Sequence, residues 1–401
     1  MKILLVHNRY QRVGGEDVVF ETERDVLKAG GHEVATLEVS NTQISGSWAA
    51  LGAAAGAVHS PQGRALMRHA IADARPDVVH VHNFFPLLSP SIFGACAAAG
   101  VPAVWTLHNF RVTCANGFLL RDLKPCEACV GHLPWRAVQH RCYRGSRAGS
   151  AAVAAMIGIH RSIGTWQRYV ARYIALTAFA RDIFIRAGLP AARIAVKPNF
   201  IADPSGLIGP AAIRNGFVFV GRLSPEKGVS TLLEAWRDNP RPLAIVGDGP
   251  LAHEVAAAAA LNPAIRYLGG GLSRSEMFAA VASAEALILP SVWYENFPLS
   301  LVEAMALATP VIASNLGALP DIVADGMNGL LFPPGDALAL RRLTDDFAGR
   351  DRPYKHRLGA QARSTYERAL SPEVGFAALM DIYRSVVADH HAVRREQTPL
   401  Q

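Results

Sequence analysis

The sequence predicts an α/β protein made of two Rossmann-like domains facing one another, and three observations carry that prediction. Short continuous apolar runs alternate with longer amphipathic stretches along almost the whole chain, the pattern of parallel strands covered on both faces by helices. The chain has 401 residues, half of them hydrophobic and 18% charged, which is enough apolar material for two cores of ordinary domain size. The alternation also restarts after a stretch rich in Pro, Gly and Ser at residues 203–215. That stretch sets the expected boundary between an N-terminal domain of residues 1–203 and a C-terminal domain of residues 204–401.

In the first array the expected strands are Lys2–His7, His32–Val39, Asp77–Val81, Pro102–Leu107, Tyr173–Thr177 and Arg193–Lys197. Between them, helical spacing is expected near Asp17–Lys28, Ser91–Ala99, Ala151–Val170 and Ala180–Ala187. The second array offers strands at Phe217–Val220, Leu243–Val246, Ile265–Leu268, Ala286–Leu289, Pro310–Ala313 and Leu330–Phe332. Its helices fall near Ser230–Arg237, Leu251–Ala260, Ser275–Ala282, Leu299–Ala308 and Asp336–Phe347. A last helix over Pro372–His390 is expected to cross back to the N-terminal domain. One segment, Phe110–Ser150, breaks the alternation; it is basic and holds four of the five cysteines. A structureless loop of that length is unusual in a compact domain, so something must organise it.

Charge and composition narrow the function classes. The net charge of +7 is uneven: residues 1–200 carry 22 basic and 12 acidic side chains, residues 201–401 carry 18 and 21. The N-terminal half is therefore suited to an anion (a phosphate, a lipid surface or nucleic acid) or is simply a solubilising basic surface. No recognised nucleic-acid motif is present, so a specific nucleic-acid partner is not expected. The start KILLVHN runs straight into polar residues, and the Ala-rich stretches at 49–58 and 148–159 are shorter than the ~20 residues a membrane span needs. Five cysteines make no secreted disulfide scaffold. A soluble, cytoplasmic protein is expected.

Ligands of doubly wound sheets bind beyond the carboxyl ends of the strands. After the first strand, Gln11-Arg-Val-Gly14-Gly15-Glu16 opens a helix; paired glycines admit a ligand close to the backbone, and the helix start offers free N–H groups. The motif reads equally as a tight strand-to-helix turn. After strand Phe217–Val220 comes Gly221-Arg222-Leu-Ser-Pro-Glu226-Lys227-Gly228, where two cations flank converging N–H groups. That composition suits a diphosphate, with Arg222 as a bidentate fork and Lys227 as a point charge. Gly247-Asp248-Gly249-Pro250 adds a second permissive turn at the same edge.

The stretch from Pro290 to Ala306 places Glu295 in the loop before a helix and Glu303 on its second turn, with Asn296, Phe297 and Leu299 between them. A carboxylate accepts two hydrogen bonds, as a diol offers. The apolar surroundings of Glu303 argue that it has a partner, because an unpaired buried carboxylate is costly. His80 and His82, in Val-His-Val-His-Asn, read either as a metal pair or as one core-facing and one cleft-facing residue.

These residues together resemble the retaining glycosyltransferases of family 4, which have the GT-B fold. The resemblance rests on Gly221-Arg222…Glu226-Lys227-Gly228, Gly247-Asp248-Gly249, the Glu295/Glu303 pair, Gly317-Ala-Leu-Pro320, Gly14-Gly15 and the Thr106-Leu-His108 strand end. It implies a UDP- or GDP-sugar donor held by the C-terminal domain and a saccharide or lipid-linked acceptor held by the N-terminal one. It implies that Arg222 and Lys227 bind the donor diphosphate, that Glu303 binds the ribose and Glu295 the transferred sugar. His108 then lies near the reaction centre, and Gly14, Gly15, Gly249, Asn296, Phe297 and Leu299 line the substrate. The activity implied belongs to cell-surface polysaccharide or glycolipid synthesis. The same fold also serves phosphorylases and epimerases, and a non-catalytic interaction protein is a further alternative. The chain has no Asp-x-Asp tripeptide, so catalysis is expected to need no metal. It also has no Gly-x-Gly-x-x-Gly hexapeptide, which argues against a dinucleotide oxidoreductase.

The cysteines run Cys114-x11-Cys126-x2-Cys129-x12-Cys142. Four thiolates would suit a structural Zn²⁺ that organises the loop; reduced thiols without metal are the alternative. Around them, residues 111–197 carry 14 Lys+Arg against three Asp+Glu. Arg136, Arg141, Arg144, Arg147 and Arg161, with Trp135 and Tyr143, suggest contact with an anionic membrane surface on the inner face.

Overall fold

A computed structural model describes residues 1–10, 14–41, 56–209 and 214–397. Residues 11–13 of the glycine loop, most of the first Ala-rich stretch and residues 210–213 of the expected linker lie outside the described residues. The chain divides into two compact units. One comprises Met1–Leu119, Cys126–Asn199 and Gly375–Gln401; the other comprises Leu120–Pro125 and Phe200–Val374.

In chain order the N-terminal half contains β1 (Lys2–Arg9), α1 (Gly15–Ala29), β2 (Glu33–Ser40), α2 (Pro61–Ala74), β3 (Val78–Val81), α3 (Ser91–Ala98) and β4 (Ala103–Thr106). A two-residue ladder, β5 (Leu120–Arg121) with β6 (Lys124–Pro125), precedes α4 (Trp135–Gln139), α5 (Arg147–Ser162) and α6 (Thr165–Tyr169). Then come β7 (Arg172–Ala175), α7 (Ala178–Arg186) and β8 (Ile194–Val196). The sheet order is β2-β1-β3-β4-β7-β8, all parallel. Six of the eight β1 residues are buried in an unbroken run, as a strand covered on both faces requires.

The second half contains β9 (Phe217–Val220), α8 (Val229–Ala235), β10 (Leu243–Val246), α9 (Ala252–Leu261), β11 (Ile265–Gly269), α10 (Arg274–Ala282) and β12 (Ala286–Leu289). It continues with α11 (Leu299–Ala306), β13 (Val311–Ser314), α12 (Leu319–Ile322), β14 (Gly329–Phe332), α13 (Ala337–Gly349), α14 (Arg352–Thr365) and α15 (Pro372–Gln397). The order β11-β10-β9-β12-β13-β14 is that of the classical doubly wound fold, whose strand order reverses between the first and fourth strands. Its core packs Phe217, Phe219, Ile245, Ile288 and Ile312 against Trp236, Leu340 and Phe347. In the N-terminal unit, Leu379, Met380, Tyr383 and Val386 of α15 pack with Ile3, Leu5, Val78 and Val104.

Besides the short elements β5, β6, α4 and α12, which the sequence reading did not contain, three longer helical regions differ from it. The single helix expected over Ala151–Val170 is two, α5 and α6, because Gly164 takes a left-handed φ of 71° between them. Helix α2 was not expected, although Ser60 precedes Pro61 and the Ser60 hydroxyl accepts the Gly63 N–H at 2.9 Å. Helix α14 was also unforeseen; Asp351 caps it, accepting the Tyr354 N–H at 2.9 Å, with Pro in its first turn. Both starts carry the cap-then-Pro signature.

Candidate active site

The strand order of the C-terminal unit places the loops after β9 and β12 next to each other, at its switch point. Gly228 shows how closely they meet. Its φ is 72°, and a Cβ built on it would lie 1.8 Å from the Pro290 carbonyl oxygen at the end of β12, so only glycine fits. Gly249, after β10, approaches the β9 loop in the same way; a Cβ there would lie 2.4 Å from Leu223 O.

This contact fixes the charged side chains. Lys227 donates to both oxygens of Glu295, at 2.8 and 3.0 Å. Its ammonium also lies 5.4 Å from the centre of the Trp293 ring. Glu295 is buried and accepts the Ser291 hydroxyl at 2.6 Å. Val292 N–H donates to Glu226 O at 3.0 Å, tying the two loops together through backbone as well. Arg222 leaves the same loop exposed, with no ion-pair partner among the described residues. A free guanidinium beside an ammonium already neutralised by a carboxylate is an arrangement that a diphosphate can enter. Such an anion would meet Arg222 directly and compete with Glu295 for Lys227.

Helix α11 starts at Leu299, directly after Pro298, and Asn296 and Phe297 are buried in the loop before it. On its second turn Glu303 is 9% exposed, and no hydrogen bond to its carboxylate is found among the described residues. Burial pushes this carboxyl up to about 7, opposed only by the distant charge of Arg274. A desolvated carboxylate with open acceptor sites suits a hydroxyl donor such as a sugar diol. The sequence-expected set Arg222, Lys227, Gly249, Glu295, Asn296, Phe297, Leu299 and Glu303 thus lies on loops and a helix start at one sheet edge.

In the N-terminal unit the order reverses between β1 and β3, and the loop ends again meet: the Asn83 amide donates to Asn8 O at 2.8 Å. Gly14 precedes α1 and donates its N–H to Asp17 at 2.8 Å, and Gly15 is the exposed first residue of that helix. Asp17 in turn bonds His7 Nε2 at 2.9 Å. His108, after β4, is buried and lies 3.0 Å from His82 Nδ1, ring on ring. It lines a pocket with Phe85, Leu107, Asn109 and Arg111.

Behind His108 is a polar network that sequence reasoning missed. Glu23 Oε2 lies 3.5 Å from His82 Nε2 and 3.7 Å from His80 Nδ1. Its other oxygen receives the Lys197 ammonium at 2.8 Å. His80 bonds Tyr383 Oη and Thr106 Oγ1, each at 2.7 Å. His80 and His82 are both buried with rings 4.4 Å apart, but His80 is bonded in the core to Tyr383 and Thr106 whereas His82 lines the pocket beside His108, which fits one core-facing and one cleft-facing residue. Glu23, His80 and His82 also converge closely enough to hold a metal ion. In this structure Lys197 supplies the cation, and both His80 nitrogens are bonded to protein. The sequence signal was Glu23 itself, a carboxylate on the apolar stripe of Phe20, Glu23 and Leu27 along α1.

Within the expected basic cluster, the half-buried Arg161 donates to the carbonyls of His132 and Gly131, at 3.2 and 3.0 Å. Of the four cysteines, no three have sulfurs all within 4.8 Å of one another.

Comparison with known proteins agrees with this geometry. Residues 27–203 match the family model Glycosyltransferase Family 4, and residues 211–365 match Glycosyl transferases group 1. The phosphatidyl-myo-inositol mannosyltransferase of Mycobacterium leprae is 34% identical over 184 residues, 44% of this chain and 49% of that protein. The glycogen synthase of Mycobacterium tuberculosis is 34% identical over 290 residues, 69% of this chain and 62% of that protein. The matches therefore span about half to three-fifths of the length of these curated relatives. Among solved structures, HepE of Anabaena in complex with UDP superposes with a TM-score of 0.67 at 17% identity, covering 96% of this chain and 100% of HepE. With both halves matched in order, and with the doubly wound sheets and loop residues described above, this chain belongs to the family 4 glycosyltransferases of the GT-B fold.

Proposed function

We propose that the protein is a retaining glycosyltransferase that moves a sugar from a nucleoside-diphosphate sugar to a saccharide or lipid-linked acceptor. The observation that carries this reading is the C-terminal switch point, where Lys227 is paired to Glu295, Arg222 of the same loop has no ion-pair partner among the described residues, and Glu303 is desolvated on the following helix. HepE, of the same fold, is known with UDP and with UDP-glucose; this supports UDP as the first donor base to try, ahead of GDP.

In this reading the ribose hydroxyls satisfy Glu303 and the diphosphate meets Arg222, Lys227 and the start of α11. Cleavage of the bond between the sugar and the phosphate builds negative charge on the leaving diphosphate. Fixed cations stabilise that charge more in the transition state than in the ground state. Glu295, once its lysine turns to the phosphate, is free to accept sugar hydroxyls. Because protein cations fill the charge-stabilising role, the reaction proceeds without a metal. His108 is a neutral imidazole in this reading, since burial and the neighbouring His7, His80 and Lys197 hold its pKa well below the ordinary value.

The same reading takes the acceptor to be held at an anionic membrane surface in polysaccharide or glycolipid synthesis. It is supported by the exposed apolar side chains of Leu133, Trp135, Ile159 and Ile163 among the arginines around α4 and α5, with Arg136 lying 5.8 Å over the Trp135 ring. No helix of the described residues is long and apolar enough to cross a membrane, so attachment would be peripheral.

Thermal unfolding with UDP, GDP, ADP and NAD tests the donor site. A ligand at ~100 times its Kd adds ~2.7 kcal/mol of stability. One nucleoside diphosphate should raise the midpoint of the native protein and not of Glu303→Ala. A shift with NAD alone, or with none of the four, removes the donor-site assignment.

A further inference from the structure

We propose that Cys114, Cys126, Cys129 and Cys142 bind one Zn²⁺ through four thiolates, and that the ion holds the segment Phe110–Ser150 in its fold. The segment has little else to hold it. Between β4 and α5 its only regular elements are the two-residue ladder of β5 and β6 and the single-turn helix α4. It nonetheless turns back on itself repeatedly, and each turn carries one of the cysteines.

The backbone bonds trace that convergence. Cys114 N–H donates to Phe110 O at 2.8 Å, and the chain returns with Phe110 N–H on Gly117 O at 2.9 Å. The next turn, at Asp122 and Leu123, takes left-handed φ values of 51° and 56°, the geometry of a two-residue hairpin. It brings Cys126 back beside Leu119, with Cys126 N–H on Leu119 O at 2.7 Å. Cys129 is tied to the first turn because the Thr113 hydroxyl donates to its carbonyl at 3.0 Å. Cys142 closes the set: its N–H donates to Ala137 O at 3.0 Å, and the Ala137 N–H faces the Cys129 sulfur.

The N–H groups of Asn116, Gly117 and Leu119 are directed at the Cys114 sulfur, and the Ala137 N–H at the Cys129 sulfur, donors of the kind that support a metal-bound thiolate. A divalent ion among four thiolates offsets their mutual repulsion. The resulting centre carries two negative charges, which the excess of arginine over acidic residues in this segment offsets.

Binding replaces four S–H protons by four S–Zn bonds, releasing four protons and leaving the metal's oxidation state unchanged. It requires the sulfurs to draw closer than they stand here, since no three lie within 4.8 Å of one another. On binding, the Cys114 thiol would give up its 2.9 Å contact with Asn116 Oδ1. Cys96 takes no part: it is fully buried in α3, and burial drives its thiol up to about 12.

The experiment is metal analysis of the full chain, purified without chelator and dialysed free of loose ions. One equivalent of zinc per chain is expected in the native protein and in Cys96→Ser, falling to none in Cys129→Ser. Replacing zinc by Co²⁺ in the native chain gives a readout that does not depend on any variant folding. Tetrahedral thiolate ligation produces intense visible d–d bands and a sulfur-to-cobalt charge-transfer band. A native chain without zinc and without that spectrum overturns the proposal. So does zinc that persists when all four cysteines are serine, since the metal would then sit elsewhere.

Discussion

Lys227 is held by both oxygens of Glu295, at 2.8 and 3.0 Å, across two loops that are 68 residues apart in sequence. The pair joins the loop after β9 to the loop after β12, and it keeps the cation oriented by a carboxylate that is almost wholly buried. Each partner is therefore available to a ligand only when the other is released or re-paired.

Substitutions of the pair should act in opposite directions on binding and in the same direction on turnover. Lys227→Ala removes a donor to the leaving diphosphate, and loss of one such donor typically costs ~10²–10³ in kcat. Its affinity for the nucleoside diphosphate should fall as well. Glu295→Gln frees the ammonium for the phosphate, so nucleoside diphosphate affinity should hold or rise while turnover falls. Titration calorimetry with the diphosphate, beside initial rates with the sugar donor, reads both. Equal losses of affinity in the two variants would mean that Glu295 meets the nucleotide rather than the sugar.

Where the C-terminal candidate residues fall was legible because each piece is local. Gly221–Gly228, Gly247–Gly249 and Pro290–Glu303 are contiguous runs at strand ends, and a parallel sheet brings strand ends together by construction. The strands themselves were legible as unbroken apolar runs. The network behind His108 was not, because its contacts join residues far apart: Lys197 to Glu23 over 174 positions and Tyr383 to His80 over 303. No local pattern announces such a pairing. Helices α2 and α14 were missed for a different reason. Their starts are marked by the caps Ser60 and Asp351 with Pro in the first turn, signals that the periodicity reading did not use.

Glu303 makes the folded protein sensitive to rising pH. Its carboxyl stands at about 7 when folded, against ~4.3 in an unfolded chain. Below both values it is protonated in each state and has no effect. As pH climbs between them, the unfolded chain releases its proton while the folded one must either retain it or ionise a buried group, so stability is lost through that window. The shift corresponds to a loss on the order of 3 kcal/mol above pH 7. Glu303→Gln should therefore be more stable than the native chain at pH 8 and indistinguishable from it at pH 4, while binding nucleoside diphosphate more weakly. Thermal midpoints of the two proteins across that range check the sign. A variant that is less stable at pH 8 would show that Glu303 is already satisfied in the free protein.

The histidines impose the opposite slope. Burial drives His80 down to about 4, and it holds His82 and His108 well below the ordinary imidazole value, with the charges of neighbouring histidines and of Lys197 adding to the effect. Unfolded imidazoles protonate near ~6.5. As pH falls from there toward 4, the unfolded chain gains protons that the folded chain refuses, and stability declines; His80 alone accounts for on the order of 3 kcal/mol. His80→Gln keeps a donor and an acceptor for Tyr383 and Thr106 but cannot ionise. It should cost ~1–2 kcal/mol at pH 7.5, through imperfect replacement of two buried hydrogen bonds, and should lose part of the acid slope between pH 6.5 and 4.5. Denaturant midpoints for both proteins at those pH values separate the two effects. An unchanged slope would mean that His80 is already charged when folded, with the Glu23 carboxylate balancing it in place of Lys197.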